Sequence, residues 1–440
     1  MRTLALVDGE HFPPVVRAAI SQLSGVVGAA LLGGSEKLAE VGAMPDLGIP
    51  VVTGDTPDAA LELALRQFAP DVIVDLADQP VVDGRTRLRL VARALAAGVP
   101  YEGADFRFTP PPRPRLATKP SVAVIGTGKR TGKTTVSAQL ARVLVGNGRP
   151  PVVVAMGRGG PADPEVVDPS AFDLSPKALL ALADSGRHAA SDHFEDALTA
   201  GVVTVGTRRC GGGMAGAPAY DTFAAGVALA NARSEDVVLF EGSGQAVPPV
   251  HSDATICAVP ATSDPDLVVG HLGAYRLLLS DLIVITMADE AKGGAGPLEQ
   301  LEGSVRRLAT GVRVVHTVFR PDPLEPISGR RVIYATTAPP SATASLAAHL
   351  QREHDCMVVA TSPHLSHRDQ LRRDLDAAPA ADALVVELKG AAVDVAVRAA
   401  LARGMDVVFC TNIVLTVGGD GDFDELAAET VALAEERFAR

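Results

Sequence analysis

The chain has 440 residues, 47% of them hydrophobic and 21% charged, with a formal net charge of −12. That acidic balance argues against a nucleic-acid binder, and the longest apolar runs stop well short of the ~20 residues that a membrane span needs. Four widely spaced cysteines, none in a CxxC pair, argue against a disulfide framework or a zinc site and favour a reducing, cytoplasmic compartment.

The opening stretch MRTLALVDGEHFPP carries one arginine and a short apolar run ending at Asp8. It reads as a strand rather than a signal peptide. Further short β-branched runs follow at Val26–Leu31, Pro50–Thr53, Asp71–Val74 and Val99–Glu102. Helical stretches at Pro13–Leu23, Asp58–Gln67 and Thr86–Ala97 separate them. This alternation predicts a Rossmann-like α/β domain over residues 1–110, without the dinucleotide fingerprint. Asp8-Gly9-Glu10-His11 closes the first strand. A ligand site at an open sheet edge and a simple turn before Pro13 both fit it. The proline-rich Thr109–Arg115 introduces a linker, placed at residues 111–120.

A P-loop nucleotide-binding domain is expected over residues 121–335, with a parallel sheet and helices on both faces. It begins SVAVIGTGKRTGKTTVSAQL, which reads as strand, glycine-rich loop and helix. Gly132-Lys133-Thr134 fit the end of the Walker A pattern, but threonine occupies position 127 where that pattern has its first glycine. Gly126, Gly128 and Gly132 allow tight turns, and backbone amides of the loop and helix start attract phosphate. The expected nucleotide contacts are Gly126, Gly128, Thr131, Gly132, Lys133, Thr134 and Thr135. Lys133 would reach the β- and γ-phosphates, and Thr134 would hold Mg²⁺. Lys129 and Arg130 add charge beside Lys133.

Later strands are expected at Pro151–Ala155, Val202–Val205, Val237–Phe240, Ala254–Val259, Leu282–Thr286 and Val312–Val318. Met156-Gly-Arg158-Gly-Gly follows one of them. Val205-Gly-Thr-Arg208-Arg209-Cys210-Gly211-Gly212-Gly213 follows another. Arginine binds phosphate bidentately, and glycines let it come close, so Arg158, Arg208, Arg209 and Gly211 to Gly213 form a candidate substrate site. Asp236-Val-Val-Leu-Phe-Glu241-Gly-Ser-Gly244 is an apolar strand ending in an acid, which fits a carboxylate for Mg²⁺. The polar cluster from Arg187 to Asp196 reads as a solvated helix start. The strand end Ile285–Glu290 lacks the guanine-specific N-K-x-D form, favouring adenine. Strands near Cys356–Thr361, Ala383–Leu388 and Asp406–Thr411 make residues 336–440 a C-terminal α/β region, either a domain or an extension of the second sheet. Lys389 and Asn412 follow late strands, as cleft residues or as surface and cap residues.

The shifted loop G-T-x-x-x-x-G-K-T and the strand end EGxG resemble dethiobiotin synthetase and related P-loop ligases, a class that also contains MinD-like ATPases. More specifically, LVDGEHFPPV, GTGKRTGKTT, TVGTRRCGGGMAG, LFEGSGQAVPPV and VFRPDPLEPISGRRVIYATTAP resemble the cyclic 2,3-diphosphoglycerate synthetases over nearly the whole chain. The resemblance implies a cytoplasmic, homodimeric ligase that uses ATP and Mg²⁺. It would close 2,3-diphosphoglycerate into an intramolecular phosphoanhydride, releasing ADP and phosphate. Lys133, Lys129, Arg130 and Glu241 are then the expected catalytic groups, with Thr134 and Glu241 on the metal. The substrate is a small anion, with no nucleic-acid or membrane partner. The alternatives are another P-loop ligase or kinase acting on a small phosphorylated or carboxylic acid, and a MinD-like regulatory NTPase.

Overall fold

The computed structural model describes residues 1–38, 44–290 and 295–440. A first sheet contains β1 (Thr3–Val7), β2 (Val26–Leu31), β3 (Val51–Thr53), β4 (Val72–Asp75), β5 (Tyr101–Glu102) and β6 (Arg107–Phe108). Its order is β3-β2-β1-β4-β5-β6, parallel throughout except for the β5–β6 pair. Helices Pro57–Phe68 and Gly84–Ala96 pack on it, N-capped by the side chains of Thr56 and Asp83. At the end of β1, the buried Asp8 accepts hydrogen bonds from the amides of Glu10, His11 and Asp78 and meets the His11 ring at 2.8 Å. These residues therefore form a turn whose carboxylate is already satisfied.

A second sheet contains thirteen strands. They are β7 (Ser121–Gly126), β8 (Val152–Gly157), β9 (Glu165–Val167), β10 (Thr204–Cys210), β11 (Tyr220–Asp221), β12 (Val238–Glu241), β13 (Ala254–Pro260), β14 (Leu282–Thr286), β15 (Arg313–Pro323), β16 (Arg331–Ala335), β17 (Met357–Ser362), β18 (Ala383–Glu387) and β19 (Asp406–Gly419). The run β10-β8-β12-β7-β13-β14-β15 is parallel. Its central strands are covered on both faces, which explains near-continuous apolar segments such as Val122 to Ile125.

Direction reverses at β15, which pairs antiparallel with β19. Beyond it β19, β18, β16 and β17 are parallel to one another. β15 meets β14 only over Arg313–His316, and β19 meets β18 only over Asp406–Cys410. Between these contacts, residues 317–322 of β15 pair with β19 alone. At a rise of about 3.3 Å per residue, this ribbon offsets the two half-sheets by roughly 20 Å. The carboxyl ends of β7, β12, β13 and β14 consequently face the carboxyl ends of β16, β17 and β18 across a cleft.

The last helix, Phe423–Phe438, is capped by Asp422 and returns to the first half, where Phe423, Leu426 and Val431 join Val122, Leu140 and Leu282. The N-terminal sheet shares a core with the same half: Leu90 and Leu95 join Tyr275, Leu277 and Leu301. Arg85 pairs with Asp266 at 2.8 Å, and Arg93 donates to the Leu308 carbonyl at 3.1 Å. No helix among the described residues is long and apolar enough to cross a membrane.

Candidate active site

The cleft between the half-sheets has a volume of about 950 Å³, and the loop after β7 forms one wall. A Cβ at Gly126 would lie 2.3 Å from Thr131 Oγ1 and 3.0 Å from the Ala258 carbonyl, whereas Gly128 has its nearest neighbour at 3.7 Å. The close approach that demands glycine is thus met by the last residue of the strand, and Thr127 is tolerated beside it. Gly132 has φ +86°, and a Cβ there would strike the Phe319 ring at 2.4 Å. Thr286 Oγ1 donates to the Thr131 carbonyl at 2.9 Å, tying the loop to β14.

Helix Lys133–Gly146 leaves the loop with no side-chain cap and no acid in its first turn. Its first amides remain available to an anion. Lys133 is buried, and its Nζ donates to the Gly128 carbonyl at 2.7 Å and lies 3.3 Å from Thr131 Oγ1. Burial pushes its ammonium down to about 8, against the attraction of Glu241 and Asp192. Lys129 and Arg130 are exposed at the cleft and have no hydrogen-bond or ion-pair partner among the described residues. Thr131, Thr134 and Thr135 line it as well.

Glu241 ends β12 beside this loop, buried, with no partner for Oε2 among the described residues. Asp192, Glu195 and Asp196 of helix Asp192–Ala200 approach from the next wall. Neither carboxylate oxygen of the buried Asp196 has a hydrogen-bond donor among the described residues. Burial raises the titration of all four acids, Glu195 to about 8. Asp196 and Glu241 stand close enough for one to donate a proton to the other. The solvated helix start expected at Arg187–Asp196 is therefore overturned. Spacings of three and four residues put Asp192, Glu195 and Asp196 on one helix face, and that face turns inward toward Lys133. The D-x-x-E-D spacing was visible in the sequence; the direction it faces was not.

Arg158 lines the cleft, and a Cβ on Gly244 would lie 2.4 Å from its guanidinium. It too lacks a hydrogen-bond or ion-pair partner among the described residues. Arg208 and Arg209 are held differently. Arg208 Nε donates to the Pro161 carbonyl at 2.6 Å, and Arg209 donates to the carbonyls of Gly211 at 2.7 Å and Ser243 at 2.6 Å. Neither residue, nor Gly211, Gly212 or Gly213, lines this cleft. In this structure Arg209 ties the glycine-rich strand end of β10 to the loop that follows Glu241.

Met287, Asp289, Glu290, Phe319 and Arg320 line the cleft near the loop, with Arg320 paired to Asp289 at 2.8 Å. From the opposite half-sheet come Thr337, His364, Lys389 and Asn412. Lys389, left open between cleft and surface by the sequence, lies in the cleft and pairs with Glu195 at 3.0 Å. Burial opposes its charge, but Glu195 and Glu387 outweigh that and hold its titration above the ordinary lysine range. Asn412 Nδ2 donates to Glu387 at 3.1 Å. His364 carried no sequence signal and is found through the tertiary structure alone.

The arrangement can bind a nucleoside triphosphate at one sheet edge beside Lys129, Arg130 and Arg158, cations without a partner among the described residues. Comparison with known proteins agrees along the whole chain. Residues 121–318 match the P-loop domain of cyclic 2,3-diphosphoglycerate synthetase, residues 323–413 its C-terminal domain and residues 2–109 its N-terminal domain. The chain is 45% identical over 432 residues to the cyclic 2,3-diphosphoglycerate synthetase of Rubrobacter xylanophilus, covering 97% of each chain. It is 40% identical over 451 residues to that of Methanothermus fervidus, covering 99% of this chain and 98% of the relative. With Thermococcus gammatolerans the identity is 44% over 419 residues, covering 94% of each. Three matched domains in order, a phosphate loop at the head of the central one and near-complete coverage at these identities place this chain in the cyclic 2,3-diphosphoglycerate synthetase family.

Proposed function

We propose that this chain is an ATP-dependent ligase that converts 2,3-diphosphoglycerate into its cyclic intramolecular phosphoanhydride, releasing ADP and phosphate. The observation that carries the reading is an uncapped phosphate loop opening, in a chain of this family, onto a cleft that also holds Lys129, Arg130 and Arg158, cations without a partner among the described residues. In the first step the γ-phosphoryl group leaves ADP and bonds to an oxygen of one substrate phosphate. The second substrate phosphate then attacks the inner phosphorus of that new anhydride, and inorganic phosphate departs. Both steps bring anionic groups together, so positioning and charge neutralisation govern the rate.

The loop amides and Lys133 hold the β- and γ-phosphates, with Gly126, Gly128, Thr131, Gly132, Thr134 and Thr135 shaping their cradle. Lys129 and Arg130 neutralise the transferring group, and Arg158 contacts the substrate. Arg208 and Arg209 support that side through their contacts with the carbonyls of Pro161, Gly211 and Ser243, and Gly212 and Gly213 continue the same loop. Residues for Mg²⁺ fit the site. Thr134 lies beside Glu241, whose free Oε2 is buried among further carboxylates, a hard oxygen set suited to this ion. When bound, Mg²⁺ would neutralise phosphate oxygens. No ready-made group of three acidic, histidine or cysteine ligands occurs among the described residues. Nucleotide oxygens and water would therefore complete its shell.

The reading includes a homodimer in the cytoplasm. Four free cysteines fit a reducing compartment, and light scattering would establish the oligomeric state. The function is tested by incubating the protein with ATP, Mg²⁺ and 2,3-diphosphoglycerate and following phosphorus NMR. New anhydride resonances should grow with ADP and phosphate. ATP consumption with unchanged substrate resonances would refute the assignment. Arg158→Ala should raise the KM for 2,3-diphosphoglycerate by about tenfold, as expected for losing a charge-assisted hydrogen bond, and change that for ATP much less. Equal rises in both constants would remove Arg158 from the substrate side.

A further inference from the structure

The nucleotide loop occupies only one of the two sheet edges that face the cleft. Ligands of open parallel α/β sheets bind in the crevice beyond the carboxyl ends of the strands. The first half-sheet presents that edge through Gly126, Glu241, Pro260 and Thr286, where β7, β12, β13 and β14 end. β16, β17 and β18 make a second such edge, ending at Ala335, Ser362 and Glu387. The register sets these ends level with one another, because Ala335 pairs with Ser362 and with Val386. The antiparallel β15–β19 ribbon turns this edge to face the first. The loops after β16, β17 and β18 lie side by side: Leu365 donates its amide to the Thr336 carbonyl at 3.3 Å, and Ala391 donates to the Leu365 carbonyl at 2.9 Å.

We infer that this second edge holds the phosphorylated acceptor, with His364 and Lys389 as its direct contacts. The inference rests on the synthetase reading above and assigns the acceptor to the C-terminal half-sheet. Both side chains line the cleft. His364 is fixed from behind. Its Nδ1 meets Asp374 at 2.7 Å, and Asp374 also accepts from Ser362 Oγ at 2.6 Å and Gln370 Nε2 at 3.0 Å. With Nδ1 donating to Asp374, Nε2 is the ring atom left to meet a ligand, and it donates to a phosphate oxygen in the imidazolium form, whose charge Asp374 balances. A network that fixes the ring's orientation in this way is what a preorganised contact requires.

Lys389 supplies the fixed charge. Its ammonium has three donors, and Glu195 takes one at 3.0 Å. It is held from its own half by the attraction of Glu387. Glu387 is immobilised in turn by Thr336, Thr337 and Asn412, so its carboxylate is committed to the loops. The arginines of the β10 strand end contact carbonyls instead of the cleft, so the basic groups on the wall opposite the phosphate loop are Lys389, His364 and the neighbouring His367, of which His364 is the histidine fixed from behind. An acceptor held there presents its phosphate toward Lys129, Arg130 and Lys133 across the gap. The two reactants then approach from facing edges, which separates their charges until the cleft is filled.

The test uses the full chain, Mg²⁺ and a non-hydrolysable ATP analogue, with calorimetric titration of 2,3-diphosphoglycerate. His364→Gln and Lys389→Met should each weaken 2,3-diphosphoglycerate binding by about tenfold or more, the scale of one charge-assisted hydrogen bond. Affinity for the ATP analogue should change less than about twofold, against which a merely structural role would register. His364 is half-exposed, so His364→Gln decides the matter alone if Lys389→Met fails to bind the analogue. Unchanged 2,3-diphosphoglycerate affinity in His364→Gln, or equal loss for both ligands, overturns the subsite. Wild-type protein that binds 2,3-diphosphoglycerate through these residues while its phosphorus spectrum never changes upholds the subsite and overturns the synthetase reading.

Discussion

Lys133→Met should lower turnover by about 10²–10³-fold, the range for losing one preorganised charge at a reacting group. The lysine is buried in the loop and already bonded to the Gly128 carbonyl. It therefore loses little conformational freedom when phosphate arrives, and methionine can replace its stem but not its charge. The wild-type ammonium also predicts a pH signature. Its titration is lowered to about 8 by burial, so without nucleotide it is charged below that pH and neutral above it. A phosphate favours the charged form, so affinity for a non-hydrolysable ATP analogue should fall as pH rises through about 8, with proton uptake on binding above it. Lys133→Met should show neither effect. Analogue affinity that stays flat from about pH 7 to 9.5 in wild type would remove Lys133 from direct phosphate contact.

Glu241→Gln should lower turnover by a similar factor, about 10²–10³-fold, while raising Tm. The two effects have one cause. Glu241, Asp192, Glu195 and Asp196 are gathered in a poorly solvated site, and burial disfavours their charged forms. Glu241 Oε2 and both Asp196 oxygens have no hydrogen-bond donor among the described residues. A glutamine amide would donate to Asp196 and remove one charge, relieving a buried and incompletely compensated group. A gain of about 1 kcal/mol, read as a Tm rise of a degree or more by calorimetry of the metal-free protein, is expected. The linkage has a definite sign. Acids with raised folded-state titration bind more protons folded than unfolded, so stability falls as pH rises from near the ordinary carboxylate range toward the raised values. For Glu195 that window extends to about 8. The wild-type Tm should fall across it, and Mg²⁺ with nucleotide should offset the fall. A Glu241→Gln protein that is inactive and also less stable would mean the carboxylate holds the fold rather than the ligand.

Much of the site was legible locally. A phosphate loop is a contiguous device, in which strand, glycines, lysine and helix start follow one another in sequence. The loop from Gly126 to Thr135 could be located before any fold was known, and Gly126 proves to be the glycine that the turn needs. Glu241 was legible for a similar reason, since an apolar strand followed by an acid and Gly-Ser-Gly marks a strand end. The arginine pair shows the limit. Arg208-Arg209 before three glycines has the chemistry of an anion nest, yet both guanidinium groups meet backbone carbonyls. Charge type is written in the sequence, but the partner that takes the charge is not. Asp192, Glu195 and Asp196 show the converse. Their helical spacing was readable, but polar residues on one face indicate solvent and a buried site equally well.

By itself the sequence determined the alternation of strands and helices, the phosphate loop, the acid at the end of β12 and the family, because each depends on residues adjacent in the chain or on similarity along its length. Only the tertiary structure decided that the sheet reverses at β15, and that reversal governs the cleft. It brings Lys389 to within 3.0 Å of Glu195, 194 residues away by subtraction of their numbers, and sets His364 on the wall facing the loop. The physical reason lies in the register of two long strands. Pairing over residues 317–322 of β15 is made by backbone hydrogen bonds to β19, and its register depends on matching two strands far apart in the chain, which neither strand's own residues reveal alone.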